Sequence, residues 1–190
     1  MLSESDDVVK RAVSHLGFNI VLLSSEQQLG DWYREEFARV TIPESTAEAL
    51  KSATLETIER AVPVLRWRMD WQERDREVIV LGVGEEAGAI PEDEQAAFLH
   101  PVERETVHLG YRLHSALDLK PGDTLQIKGR SFRVAQNNPS RGSVDDLTVY
   151  MHLTDAQELL DQSGRINEIL ALQTPKAWND VEAVRREISD

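Results

Sequence analysis

The sequence predicts an α+β fold with a smaller β-rich insertion. Two observations carry this expectation. Strand-like and helix-like stretches alternate near both ends of the 190-residue chain, while short hairpin-like stretches fill the middle. At about residue 84 the composition shifts to an acidic stretch with Gly, Glu and Pro, a candidate boundary into an inserted part. A doubly wound sheet does not fit this mixed order.

The elements follow in order. Val8, Val9, Ala12, Val13 and Leu16 recur at helical spacing, so residues 6–16 read as a short amphipathic helix with Gly17 as its left-handed cap. FNIVLLS, residues 18–24, is a continuous apolar run of strand length and reads as a buried strand. Residues 26–43 are polar and irregular, and Ser45 caps a short helix over 46–52. The alternation V-L-R-W-R-M-D-W over 64–71 predicts a half-exposed strand, joined by a charged turn at 73–76 to a buried strand, EVIVLGV, at 77–83. Beyond the acidic stretch, residues 104–117 read as a helix with Val107, Tyr111, His114 and Leu117 near one face. K-P-G-D then turns into strand TLQI, and K-G-R turns tightly into strand SFRVAQ. A loop, a strand over 147–153, a helix capped by Thr154, a strand over 166–172 and a helix over 178–188 complete the chain.

Bulk properties remove several functions. The net charge is −13 and the pI about 4.8. The richest basic stretch, Arg66 to Arg76, is interleaved with Asp70, Glu73 and Asp75. Nothing here forms the basic stripe that nucleic acid requires, so no nucleic-acid partner is expected. Zero cysteines exclude disulfides and thiolate chemistry. No window approaches 18 consecutive apolar residues, and the start lacks a basic-then-apolar leader pattern. Taken literally, the chain is a soluble cytoplasmic protein. It also fits a piece of a larger protein whose membrane segments lie outside it.

Candidate chemistry is sparse. Gly82-Val83-Gly84-Glu85-Glu86-Ala87-Gly88 follows a strand, but its third glycine is one place late for a dinucleotide fingerprint and two glutamates occupy the diphosphate position. No two of the five histidines have the spacing of a helical zinc site, and Glu105-x-x-His108 is half of a metal signature without its second copy. Ser24, Ser25 and Ser140 have no base partner in sequence, and acidic pairs such as Asp145-Asp146 read as solvated faces. Neither a catalytic site nor a cofactor is expected. Trp67 and Trp71, four apart on a strand, share a face. They read either as core or as a docking surface, and Trp32 and Tyr33 belong to the same aromatic set.

One segment carries a resemblance. Glu103 to Gln136 reads E-R-E-T-V-H-L-G-Y-R-L-H-S-A-L-D-L-K-P-G-D-T-L-Q-I-K-G-R-S-F-R-V-A-Q. With Gly110, Leu113, Ala116, Leu117, Leu119, Gly122, Asp123, Leu125, Ile127, Gly129, Phe132 and Val134 in place, it resembles the MacB-like periplasmic core domain of MacB/FtsX-type ABC-transporter permeases. Gly17-x-Asn19 before a hydrophobic strand, VYMHLTDAQELL and GRINEILALQ extend the likeness over about residues 15–188.

The resemblance implies a mixed α/β porter-like subdomain built from residues 1–83 and 147–190. A β-rich subdomain, residues 84–146, is inserted into it. It also implies a non-catalytic domain on the periplasmic face of the inner membrane, tethered by both ends to membrane helices. Its partners would be a cytoplasmic ATPase subunit, a second permease copy and a periplasmic protein. An extracytoplasmic ligand-binding or sensor domain using the Trp67/Trp71 face is the alternative. A stand-alone enzyme would need a constellation that the residues do not supply.

Overall fold

The computed structural model describes residues 18–35, 37–52, 56–88, 99–174, 177 and 180–189. The helix expected over 6–16, its cap Gly17 and the Trp178 start of the final helix lie outside the described residues, as does most of the acidic stretch.

The chain runs β1 (Ile20–Leu22), α1 (Leu29–Glu35), β2 (Ile42–Pro43), α2 (Ser45–Ser52), β3 (Ile58–Trp71), β4 (Arg76–Val83), β5 (Ala87–Gly88) and β6 (Thr106–Leu109). It continues through α3 (Tyr111–Leu117), β7 (Thr124–Ile127), β8 (Arg130–Asn137), β9 (Thr148–His152), α4 (Leu153–Leu159), β10 (Arg165–Ile166), β11 (Glu168–Gln173) and α5 (Val181–Ser189). Nine strands form one sheet in the order β1-β11-β3-β4-β9-β6-β8-β7, with β5 also on β3, and β10 pairs β2 separately. The pairs β4–β9 and β6–β8 are parallel. The architecture is mixed α/β around a large, mostly antiparallel sheet, the fold class the sequence predicts.

The middle of the sheet is apolar on both faces, which is why EVIVLGV and LTVYMHL read as continuous rather than alternating. On one face Ala61, Leu65, Val80, Met151 and Ile169 join Leu153, Ala156 and Leu159 of α4 in the main core. On the other, Val62, Val64, Leu81, Val83, Tyr150 and Leu170 pack with Val102, Phe18 and Leu99. Pro63 interrupts neither layer. Its carbonyl accepts from Gly84 N at 2.9 Å, where the β3 edge changes partner from β4, whose pairing ends at Val64–Val83, to β5 at Ala61–Ala87. The missing N–H therefore falls in a gap of the ladder.

Four sequence expectations change. The strand in FNIVLLS shortens to β1, and it is an edge strand with Val21 exposed rather than a buried one. The stretch 26–43 holds α1 and β2. No residue of α1 is buried, so no apolar stripe announces it. The helix over 104–117 is instead strand β6 and then helix α3, so Val107 and Tyr111 do not share a helical face. Four residues, T-V-H-L, are too short for periodicity to separate strand from helix, and Gly110 marks the break. Finally, Thr154 is not the cap of α4: His152 precedes the helix, and its Nδ1 accepts from Thr154 N at 3.1 Å.

Candidate functional site

The motif residues of the central segment build a compact turn structure. Leu125, Ile127, Phe132 and Val134 are all buried on one side of the β7–β8 hairpin, with Leu125 opposite Phe132. Lys128 and Gly129 both take positive φ, 50° and 75°, the tight two-residue turn that fits strand twist. Gly122 also sits at positive φ, and the Asp123 carboxylate accepts from Lys120 N at 2.8 Å.

Gly110 has a different duty. Its φ of −62° suits any residue, but a Cβ there would stand 2.2 Å from Asp145 O and 2.7 Å from Asp146 O. Glycine lets α3 begin against the short 3-10 turn Val144–Leu147. That turn is organised by Asp146, a buried carboxylate accepting from Arg141 N at 2.8 Å, Gly142 N at 3.1 Å and Ser140 Oγ at 3.2 Å. The Arg141 amide, with the Gly142 amide, the Ser140 hydroxyl and the nearby Arg112 charge, holds the Asp146 carboxyl below its usual range despite burial. A depressed folded pKa adds stability above the unfolded value, about 4, and that stability is lost as pH falls through the folded value. Asp146→Asn is therefore expected to flatten the fall in stability below about pH 4, measured by urea titrations across pH. An unchanged slope would mean that Asp146 is not the group titrating.

Of the tryptophan pair expected as one face, Trp71 is a core residue. It is fully buried, and its Nε1 donates to Gln126 O of β7 at 2.7 Å. The Trp67/Trp71 docking surface is thereby corrected: Trp71 does not reach solvent, because the β3–β4 hairpin tip folds onto edge strand β7. Glu73 on that tip also accepts from Gly129 N at 2.8 Å. Trp67 is half-buried against Phe37, ring centroids 5.6 Å apart. Trp32 donates from Nε1 to Glu168 at 3.1 Å, leaving Tyr33 of α1 as the exposed aromatic, 75% accessible.

Sequence reasoning missed the buried polar residues that hold residues 27–40 in place. Asn167 gives Nδ2 bonds to Ala38 O (2.6 Å) and Arg66 O (2.7 Å) and accepts from Arg66 N (2.9 Å). Neighbouring Glu168 accepts from Trp32 and Ala38 N and pairs with Arg66 at 3.3 Å. Gln27 Oε1 accepts from Arg39 N and Val40 N. The signal was an Asn-Glu pair inside the apolar run R-I-N-E-I-L-A-L.

Asn19 lies where the chain enters the sheet. Its side chain donates to Gln173 Oε1 at 3.2 Å and accepts from Gln173 N at 2.9 Å, tying the first strand to the last. The start of β3 lies at the same sheet end. There Thr57 O accepts from Thr174 N, and the Glu187 carboxylate of α5 accepts from Glu56 N and Thr57 N. Burial opposes ionisation of Glu187, but those bonds and one from the Thr57 hydroxyl outweigh it and hold the carboxyl below its usual range.

The remaining candidates do not converge. Among the described residues no group of three His, Asp or Glu side chains is placed to hold a metal. Glu105 is on a turn, and His108 is buried in β6, its pKa lowered by burial and by His100. The cavity at Arg68, Glu77, Arg112 and Asp146, about 480 Å³, is wide open, and its buried carboxylate is already satisfied by its own loop.

The family model of the MacB-like periplasmic core domain matches residues 5–190, a span that holds the clamped first and last strands, the two-faced sheet and the hairpin turning at Gly129. The chain belongs to that family. The fold agrees with two solved structures. One is the periplasmic region of MacB from Actinobacillus actinomycetemcomitans: TM-score 0.53, 16% identity, 89% of this chain and 78% of that one covered. The other is the extracellular domain of the noncanonic ABC-type transporter YknZ from Gram-positive bacteria: TM-score 0.53, 10% identity, 88% of each chain covered. No curated protein matches the sequence. As a MacB-like core domain the chain is a periplasmic part of an ABC-transporter permease, a class that works with an ATPase subunit. Among its described residues no helix is long and apolar enough to cross a membrane.

Proposed function

We propose that this MacB-like domain is a non-catalytic lever, held at one end by membrane helices outside the sequence and moved by ATP binding on a separate cytoplasmic subunit. The observation that carries the reading is the Asn19–Gln173 clamp. It brings the entering and leaving strands side by side at one end of the sheet, with α5 bound at that same end through Glu187. A pull on either connection loads the whole sheet, because adjacent paired strands cannot slide without breaking their ladder. Within residues 84–146, strands β6, β8 and β7 are read as the arm of the lever, flanking the body through the β6–β9 pairing, while β5 stays on β3. The partners would be a second permease copy or a periplasmic protein. Tyr33, exposed on α1, is placed to report on them, because Trp32 anchors α1 at the Glu168 end of β11, away from Gln173.

This chain has no cysteine, so in the complete permease, with any cysteine outside these residues replaced by serine, Tyr33→Cys gives a single label. In intact spheroplasts a membrane-impermeant maleimide is expected to react without lysis. A bimane at the same position is expected to change emission when the ATPase is trapped with ATP. Labelling only after lysis would sink the extracytoplasmic placement; emission indifferent to nucleotide would sink the coupling.

A further inference from the structure

We propose that an ion-pair clasp between α4 and the β6–β8 flank is the rigid joint of the arm, the contact that stops the flank from opening away from the body. Every charge in it crosses the boundary between residues 84–146 and the rest. Asp155, in the first turn of α4, is wholly buried. Its carboxylate accepts from Arg104 Nε and from Glu105 N, both at 2.8 Å, with Arg130 Nη2 at 3.6 Å. One turn further on, Glu158 pairs with Arg130 at 2.9 Å and Arg104 at 3.2 Å. Lys128, on the β7–β8 turn, donates from Nζ to Leu159 O at 2.8 Å, at the C-terminal end of the same helix.

Two acids of one helix are thus gripped by two arginines, Arg104 from the loop before β6 and Arg130 from β8, while Lys128 of the β7–β8 turn holds the carbonyl at the helix end. The opposite side of α4 lies on β4, where a Cβ at Gly82 would come within 2.4 Å of Ala156 Cβ. The helix is a strut, seated without a gap on the body strand and charged toward the arm. Isolated exposed pairs hold little. This cluster differs because Asp155 has no exposure: both its oxygens take N–H bonds in a site closed to water, so an amide there turns a buried donor toward donors. Strand pairing across the joint is short, three residue pairs between β6 and β9, and the β3–β4 tip adds the Trp71–Gln126 and Glu73–Gly129 bonds to the hairpin; the clasp is a further, charged anchor of the flank, on α4.

The inference deepens the lever reading and rests on it for its biological meaning, but its physical content is tested on the 190-residue chain alone by native-state hydrogen exchange. In Asp155→Asn, amides of β6, β7 and β8 are expected to exchange about tenfold faster or more, as a local opening, while β3 and β11 stay within about twofold. Glu158→Gln removes only the half-exposed acid and keeps the fold, so it serves if Asp155→Asn fails to fold. It is expected to give the same pattern at about threefold, as is the unaltered chain at high salt. Equal acceleration in all strands, or none in the flank, overturns the clasp. If the flank loosens yet the complete permease carrying the same substitution keeps an ATP-dependent response at a bimane on Tyr111→Cys, an exposed position of α3 in the flank, the clasp stands and the lever reading fails.

Discussion

Gly110→Ala is expected to destabilise the domain by about 3 kcal/mol, the upper part of the range for forced overpacking. The added methyl cannot be accommodated by a side-chain rotation: its nearest neighbours are the backbone of Asp145 and Asp146, at 2.2 and 2.7 Å. That backbone is fixed by the Asp146 carboxylate and cannot retreat without releasing Arg141 N and Gly142 N. For a chain of this size the midpoint of thermal unfolding, followed by circular dichroism, should fall by roughly 6–12 °C. Gly30→Ala is the control. Gly30 is in α1 with nothing within 4 Å of a Cβ, so helix propensity makes that change neutral or favourable by up to about 1 kcal/mol. Equal midpoints for the two variants would remove the steric account of Gly110.

Trp71→Ala is expected to cost about 3–5 kcal/mol, the usual range for emptying a large aromatic site. The side chain is fully buried and contacts the main core. Its Nε1 bond to Gln126 O also secures edge strand β7 against the hairpin tip. Trp71→Phe keeps most of the volume but leaves the carbonyl without that donor, for about 1–2 kcal/mol. Urea unfolding measures both. The same pair of variants separates core from docking surface, because a solvent-facing tryptophan would tolerate both changes within about 0.5 kcal/mol.

The hairpin around Gly129 was legible in the sequence because its information is local. Alternating Leu125, Ile127, Phe132 and Val134 names the buried side, and Lys128-Gly129 names the turn. The same holds for β4 and β9, whose apolar runs need no knowledge of their neighbours. The segment around Val107 was not legible: a four-residue strand followed by a two-turn helix imitates one helix when only apolar spacing is counted. Residues 27–40 failed for another reason. Their conformation is imposed by Gln27, Asn167 and Glu168, two of which lie about 130 positions away, and no local pattern encodes that.

By itself, then, the sequence determined the fold class, the family and the absence of a basic or thiol-based chemistry, since composition, periodicity and turn residues act over a few neighbours at a time. Only the tertiary structure decided that Trp71 is core rather than surface, that Asn19 clamps the first strand to the last, and that Asp155 of α4 meets Arg104 and Arg130. Each of these depends on which groups meet after the chain has crossed itself. A buried hydrogen bond or ion pair is made between partners brought together by packing, and the type of one residue does not name the other.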